Sequence, residues 1–312
     1  MGRTFLTWAT LAVAASAALA ASAAGARTAA GTPTVVAAVT TGLGPCSEAG
    51  GFGSLWVGNN GAGTLSRIDP TTNTVTATID VGAGPCGVAI GSGSVWVDGY
   101  ASAQVIRVDP TTMEITKRFK LHDQIWDVTY GAGSVWATGS DEDFVARINP
   151  RSNKVRKIHI PGLNGPANLR YGAGAIWVGE LLGRTIWRID PRTNRLRPVH
   201  VGKAPTALAA TTTDVWVANS KSNTVSRVNA KTLRVVATIR VGQSPTNPAV
   251  ADDGTVYVPN TGSNTVSRID PASNAVVDVI PVGKGPFPLA SAFGDIWVPN
   301  SGGSDVYRIH TG

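Results

Sequence analysis

Residues 54–70 read SLWVGNNGAGTLSRIDP, and this pattern returns along the whole chain at intervals of 39–41 residues. Each copy centres on one aromatic residue. These residues are Trp56, Trp96, Trp136, Trp177, Trp216, Tyr257 and Trp297. A period near 40 residues is typical of one four-stranded propeller blade, and seven copies are enough to close a ring. The sequence therefore predicts an all-β fold, a seven-bladed β-propeller whose blades have four antiparallel strands each.

A second column of the repeat lies eleven residues after each aromatic residue and is an arginine in every copy. These arginines are Arg67, Arg107, Arg147, Arg188, Arg227, Arg268 and Arg308. Two positions later most copies carry a turn sequence such as Asp69-Pro70. Because the arginines recur at a fixed strand position, we interpret them as structural and held by their own blade. They are expected to pair with the turn aspartates or to stack on a neighbouring tryptophan.

The two ends of the chain complement each other. The last copy stops after a third strand, residues 306–309, and lacks a fourth. Residues 35–39 and 44–46 resemble residues 75–79 and 84–86, which form a fourth strand and the start of the next copy. We therefore predict that the N-terminal strand closes the last blade and so removes a free sheet edge.

The beginning of the chain has the composition of a secretory signal peptide. Arg3 precedes an alanine-rich apolar run over residues 5–20, and small-residue cleavage sites follow. We place the signal peptide at residues 1–26, a linker at 27–33 and the propeller at 34–312. The alternative is a membrane anchor, for which the apolar run is a little short. The mature protein is expected to be secreted or extracytoplasmic, in the cell envelope, without a membrane span, and monomeric.

Two cysteines, Cys46 and Cys86, occupy the same position in adjacent copies. Equivalent inner-strand positions of neighbouring blades lie about 6–7 Å apart, near the upper limit for a disulfide. Export favours oxidation. We predict a disulfide between them, with two buried free thiols as the alternative. Two cysteines without a clustered histidine do not make a metal site.

The chain is basic, with a formal net charge of +7. Beyond the repeated arginines, basic residues concentrate on the outer strands and turns of the middle copies. These residues, here called the basic rim, are Lys117, Arg118, Lys120, Arg151, Lys154, Arg156, Lys157, Arg192, Arg195 and Arg197. Such a rim can bind nucleic acid, anionic lipid or an anionic wall polymer. A solvated edge that keeps the protein soluble is the interpretation we favour.

Loops at one mouth of the central channel are the expected place for a ligand. Two residues break the repeat there, because Trp126 replaces a small residue and Glu180 stands where asparagine is usual. The candidate ligand-binding residues are Trp126, Asp127, Asn168, Glu180, Arg184, Asp98 and Tyr100. A plug that fills the channel is the alternative role for Trp126. The repeated asparagines are interpreted as turn residues; they are Asn59, Asn219, Asn260 and Asn300.

An acidic loop, Asp141-Glu142-Asp143, stands out in this basic protein. Carboxylates of this kind can hold calcium. The loop lacks the glycine turn that closes such a site, so we interpret it as solvated. We expect no cofactor and keep a divalent metal as the alternative.

Residues 264–277 read NTVSRIDPASNAVV and are followed by Val282-Gly283, a pattern that resembles the YVTN-type propeller repeat. Similar words occur in all seven copies. The Gly-x-Ile/Val-Trp-Val and Arg-Ile segments are also similar to the streptogramin (virginiamycin B) lyases. Both resemblances imply a seven-bladed propeller. The first also implies a binding or scaffold role outside the cytoplasm, with nucleic-acid binding in some relatives.

The resemblance to the lyases implies histidines directly after the loop proline of late blades, a glutamate before one such proline, and a magnesium ion. The corresponding positions hold Thr206 after Pro205, and Ser244 and Thr246 around Pro245. No histidine follows any blade-start proline. The base that this chemistry needs is missing from its expected place, so we assign no catalytic residue.

The sequence leaves three functional hypotheses open. The leading one is a secreted, non-enzymatic propeller that binds a protein, a wall polymer or a small ligand at the channel mouth. The second is a lyase-like or lactonase-like, metal-dependent enzyme that uses the mouth carboxylates Asp127 and Glu180. The third is a binder of an anionic polymer or nucleic acid through the basic rim.

Overall fold

Each repeat folds into one sheet because short runs of β-branched and aromatic residues alternate with glycine-containing and Asp-Pro turns. The computed structural model describes residues 33–82, 84–139, 143–163 and 165–311. The predicted signal peptide, the predicted linker up to residue 32, and Asp141 and Glu142 of the acidic loop lie outside the described residues. Within the described part of the chain, no helix is long and apolar enough to cross a membrane.

The chain begins with a strand that belongs to the last blade, β1 (Thr34–Thr40). Blade 1 follows with β2 (Pro45–Gly51), β3 (Ser54–Asn59), β4 (Thr64–Asp69) and β5 (Thr74–Asp80). Blade 2 has β6 (Val88–Gly91), β7 (Ser94–Gly99), β8 (Gln104–Val108) and β9 (Ile115–Lys120). Blade 3 has β10 (Ile125–Gly131), β11 (Ser134–Gly139), β12 (Phe144–Ile148) and β13 (Val155–His159).

The later blades repeat the same order, from the innermost to the outermost strand. Blade 4 has β14 (Pro166–Gly172), β15 (Ala175–Glu180), β16 (Thr185–Ile189) and β17 (Leu196–His200). Blade 5 has β18 (Pro205–Ala210), β19 (Asp214–Asn219), β20 (Thr224–Asn229) and β21 (Arg234–Arg240). Blade 6 has β22 (Ala249–Val250), β23 (Val256–Asn260), β24 (Thr265–Asp270) and β25 (Ala275–Pro281). Blade 7 has β26 (Ala290–Ala292), β27 (Asp295–Asn300) and β28 (Asp305–His310).

Blade 7 is completed by β1, which pairs antiparallel with β28. The register runs from Thr34 opposite His310 to Thr40 opposite Asp305. The seven-bladed propeller, its four-stranded antiparallel blades and the closure by the N-terminal strand are thereby confirmed. Every described sheet has its outermost strand, and the ring is joined by hydrogen bonds between the two ends of the chain.

The repeated aromatic side chains form the contacts between blades. Trp56 of blade 1 packs with Val95 and Ile106 of blade 2, and Trp297 of blade 7 packs with Leu55 of blade 1. The indole Nε1–H of Trp56 donates to the carbonyl of Gly51 at 2.9 Å, so burial leaves this polar group satisfied. The repeat period therefore places one large apolar side chain in every gap between blades.

The repeated arginines link neighbouring blades, which the sequence did not predict. The guanidinium of Arg107 lies 5.3 Å from the ring centroid of Trp96, and its Nη1 donates to the carbonyl of Pro150 in the next blade at 3.2 Å. Asp109 accepts from the amides of its own turn instead, at 2.8 and 3.0 Å. For this arginine, stacking is the correct alternative and pairing with the turn aspartate is wrong. The prediction that this arginine is held by its own blade alone is also wrong, because it reaches Pro150 in the next blade.

Candidate functional site

The inner strands begin at one end of the central channel, and the loops between second and third strands surround the same end. An open cavity of about 430 Å³ lies there. We call it the disulfide mouth, and its wall is formed by Cys46, Asn60, Cys86, Tyr100, Trp126, Thr261, Phe287 and Ser301. Aromatic rings and the disulfide form much of this wall, so the mouth offers an apolar surface with a few polar groups at its edge.

One side of the disulfide mouth is the Cys46–Cys86 disulfide. The structure joins the two residues with their Cα atoms 4.9 Å apart. Cys46 lies near the start of β2 and Cys86 lies in the loop before β6. The bond therefore ties the inner edges of blades 1 and 2, where the amide of Val88 also donates to Ser47 Oγ at 3.1 Å.

Three aromatic side chains give the mouth its chemistry. Trp126 and Tyr100 meet edge to face, with ring centroids 5.6 Å apart and planes at 80°. Phe287 lies in the same cavity wall, and all three side chains are only half-buried. Sequence reasoning selected Trp126 and Tyr100 but missed Phe287, which occupies in the seventh copy the position that Trp126 occupies in the third. At this position of the repeat most copies have a small residue, so the two aromatic residues are the sequence signal that indicates this wall of the cavity.

Asp127 and Asn168, two further candidates, belong to the buried wall of the channel and do not line the cavity at the mouth. Asp127 is 1% exposed, and its Oδ2 accepts from Asn168 Nδ2 at 3.0 Å and from Arg170 Nη1 at 2.5 Å. Its Oδ1 accepts from the amide of Val128. The carboxylate thus joins the inner strands of blades 3 and 4. Its oxygens are already engaged within the protein.

Asp98 is a buried residue that binds the loop carrying Cys86 of the disulfide. It is fully buried, and its Oδ1 accepts from the backbone amides of Cys86 at 2.6 Å and Gly87 at 2.7 Å. Burial raises the pKa of this carboxyl well above its ordinary value, and the two amides offset only part of that rise. The candidate therefore holds the loop that carries Cys86 and is not a surface group for a ligand.

Glu180 and Arg184 belong to the turn between β15 and β16. Glu180 is 1% exposed, and its Oε1 accepts from the amide of Thr185 at 2.7 Å. It thereby fills the position that buried Asn59 holds in blade 1, where Nδ2 donates to Thr64 and Ser66. Arg184 is exposed in the same turn. Neither residue lines the disulfide mouth, so the structure does not bring Asp127 and Glu180 together there.

Besides the disulfide mouth, the channel contains a polar site that sequence reasoning missed. A cavity of about 300 Å³ lies among the inner strands, and both Glu48 and Arg170 line it. Glu48 is 7% exposed, and neither carboxylate oxygen meets a hydrogen-bond partner among the described residues. The columns of the repeat contain the signal. Glu48 stands where other copies have Val88 or Leu208, and Arg170 stands where they have alanine or threonine.

The environment of Glu48 favours its neutral form. Burial raises the pKa of this carboxyl well above its usual value of 4.5, while the Arg170 charge and the nearby Ala290 backbone act in the opposite direction. A folded-state pKa above the unfolded value means that the native protein binds the proton more tightly. This contribution therefore destabilises the fold progressively as pH rises from about 4.5 through the folded-state pKa.

We expect Glu48→Gln to stabilise the protein by about 1–3 kcal/mol at pH 8, because it removes the cost of a buried, unpaired carboxylate. The gain should largely disappear at pH 4, where wild-type Glu48 is mostly protonated in both states. Urea unfolding at the two pH values measures this difference. The exposed Glu114 provides the matched control, since Glu114→Gln should change stability little at either pH. A lower stability of Glu48→Gln at pH 8 would contradict the prediction.

The chemistry of a metal-dependent hydrolase is not assembled by the described residues. No group of three or more His, Cys, Asp or Glu side chains gathers in the part of the chain that the structure describes. The positions of the lyase histidines hold Thr206, whose buried Oγ1 has no partner, and Thr246, whose Oγ1 lies 3.2 Å from Thr261 Oγ1. These hydroxyls can donate and accept hydrogen bonds, but a threonine hydroxyl does not itself serve as a general base near neutral pH.

Comparison with known proteins gives a likeness of fold. No protein-family model and no curated protein matches the chain. A streptogramin B lyase structure aligns with a TM-score of 0.77 at 15% identity, over 86% of this chain and 94% of that one. The virginiamycin B lyase from Staphylococcus aureus aligns with a TM-score of 0.78 at 16% identity, over 89% and 99%. Hydrazine synthase from Kuenenia stuttgartiensis aligns with a TM-score of 0.72 at 15% identity, over 88% and 95%. The chain is therefore a seven-bladed propeller similar in fold to the streptogramin B lyases, and identities of this order show the fold alone.

Proposed function

We propose that this chain is an exported, non-enzymatic binding propeller that holds its ligand at the disulfide mouth. The observation that carries the proposal is the open cavity where half-buried Trp126, Tyr100 and Phe287 share a wall with the disulfide. Apolar surface of this kind gains free energy when a ligand removes it from water. Rigid aromatic side chains supply that surface with little loss of conformational freedom.

The polar edge of the mouth narrows the ligand class. Thr261 Oγ1 donates to the carbonyl of Pro286 and Ser301 Oγ donates to that of Gly285, both at 2.8 Å. Each hydroxyl therefore gives its hydrogen to the protein and keeps a lone pair as acceptor, although Thr261 Oγ1 also accepts from Thr246 Oγ1 at 3.2 Å. A ligand with an apolar ring face and hydroxyl donors at its edge fits this surface. We propose a sugar ring, free or within an extracellular glycan.

The enzyme hypothesis finds no support in the positions of its residues. Asp127 is engaged by Asn168, Arg170 and a backbone amide, and Glu180 closes its own turn. A general base or metal ligand needs an oxygen that faces the substrate. The binding role is therefore the function that the geometry supports best.

We expect Trp126→Ala to weaken glycan binding by about tenfold or more, since a buried aromatic anchor often dominates a binding site. Quenching of tryptophan fluorescence and calorimetry with a panel of soluble glycans measure this loss. Phe52 is exposed and lies in the β2–β3 turn, at the other end of the inner strand, so Phe52→Ala is the matched control. Failure of the wild-type protein to bind any glycan, or equal loss in both variants, would reject the proposal.

A further inference from the structure

One repeated arginine differs from the others in its surroundings. In most blades the residue two positions before the aromatic residue offers an acceptor to the arginine of the same blade. Arg107 donates to Ser94 at 2.8 Å and Arg147 donates to Ser134 at 3.0 Å. In blade 4 the equivalent residue is Ala175, which has no acceptor. Arg188 therefore lacks the partner within its own blade.

The contact with the next blade is not made either. Arg107 and Arg147 each donate to the carbonyl of a turn proline in the following blade, Pro150 and Pro191. The equivalent residue in blade 5 is Ala230, and in the described part of the chain its carbonyl accepts no hydrogen bond from Arg188. Among the described residues, the guanidinium of half-buried Arg188 has no hydrogen bond or ion pair.

A cleft of about 520 Å³ opens beside this arginine, between blades 4 and 5 on the face opposite the disulfide mouth. Three basic residues line it: Arg188, Arg197 and Lys231. Arg188 and Arg197 are directly opposite each other on β16 and β17, so two like charges share one side of the sheet. No carboxylate lines the cleft in the described part of the chain.

The turn residues of blade 5 add to the positive potential. Asn229 stands where blades 1 and 2 carry the aspartates Asp69 and Asp109, so this position has lost a negative charge. The nearby Asp190 binds the amides of its own turn, at Arg192 and Thr193. Its charge offsets part of that of Arg188 without satisfying the guanidinium donors.

We propose that this cleft is a binding site for a tetrahedral oxyanion, a phosphate or sulfate group that is free or carried by a polymer. The Arg188 guanidinium offers paired N–H donors that match two oxygens of such a group. Arg197 and Lys231 supply further positive charge, and Thr212 lines the same cleft. The bound anion would relieve the repulsion between the two arginines. This site is separate from the disulfide mouth, so the proposal does not depend on the glycan function.

The first experiment measures binding of inorganic phosphate and of inorganic sulfate by calorimetry at low ionic strength. We expect saturable binding by the wild-type protein and at least tenfold weaker binding by Arg188→Ala. Arg188→Lys should also bind more weakly, because lysine keeps the charge but loses the paired donors. Since Arg188 has no partner in the fold, Arg188→Ala should keep its melting temperature within about 2 °C of the wild type.

Arg107 supplies the matched control, because it occupies the same column but is held by Ser94 and Pro150. Arg107→Ala should lower the melting temperature clearly and change phosphate binding less than twofold. Ala175→Ser should restore the missing acceptor to Arg188 and weaken phosphate binding. Absence of saturable binding by the wild type, or equal loss of binding in the Arg107 and Arg188 variants, would overturn the proposal.

A second arm identifies where the group comes from. Long-chain polyphosphate is compared with inorganic phosphate at the same phosphate concentration, in wild type and in Arg188→Ala. Tighter binding of the polymer, with a steep salt dependence, would assign the site to a polymeric anion that also contacts the basic rim. Equal binding would assign it to a free anion. Both results require that Arg188→Ala weakens binding; polyphosphate binding unchanged in that variant would overturn the site.

Discussion

A chain that begins at Thr41, and so lacks β1, is expected to aggregate or to melt more than about 10 °C below a chain that begins at Pro33. Without β1 the backbone groups of β28 become a free sheet edge, which can pair with another molecule. The deletion also removes Val39, which is 3% exposed and packs with Trp297 and Val306. The loss therefore combines hydrogen bonds, core packing and closure of the ring.

Size-exclusion chromatography and differential scanning calorimetry of the two chains test this prediction. The chain from Pro33 is the control, because it keeps the whole of β1. Addition of a synthetic peptide with the sequence of residues 33–41 should restore part of the lost stability if the closure is the cause. A monomeric shortened chain with unchanged melting temperature would show that blade 7 does not depend on β1.

The architecture was predictable because each structural unit is also a sequence unit. Trp56 and its equivalents mark the second strand of every blade, and the residues around Val35 match the outer strand around Val75. A seven-fold repeat averages out local ambiguity, since one strand pattern read seven times is far more specific than one read once. The closure of blade 7 follows from counting strands, and it needs no knowledge of side-chain contacts.

The roles of the candidate side chains were less predictable, because their partners come from the neighbouring blade. Asp127 is bound by Arg170, which lies 43 residues later, and Arg107 reaches Pro150 across the same kind of gap. Sequence columns compare equivalent positions but do not show which column faces which. The sequence of one blade alone therefore indicated that Asp127 lies at the mouth, because its partner Arg170 belongs to the next blade.

Positions where one copy differs from the others indicated special sites better than the repeated positions did. Glu48 replaces an apolar core residue, and Ala175 replaces the side-chain acceptor that the repeated arginine has in other blades. Each break changes a local balance of charge or hydrogen bonds that the other blades keep. The columns were available from the sequence, but the consequence of each break depends on contacts between blades.

Replacing both cysteines, as in Cys46→Ser with Cys86→Ser, should cost about 4 kcal/mol of stability in the chain-entropy model for a 40-residue loop. For a protein of this size the melting temperature should fall by roughly 10 °C. Asp98 still accepts from the amides at positions 86 and 87, so the loop should keep its native position and the variant should fold. Calorimetry of the wild type and the double variant measures the difference.

Reduction provides an independent control for the disulfide. Wild-type protein treated with a thiol reductant should melt at the temperature of the double variant, and the same reductant should leave the variant unchanged. Thiol labelling of unfolded, unreduced protein should find no reactive cysteine, because Cys46 and Cys86 account for both thiols of the chain. Two labelled thiols, or a double variant as stable as the wild type, would mean that packing and the hydrogen bond from the Val88 amide to Ser47 Oγ join blades 1 and 2 at the mouth without the disulfide.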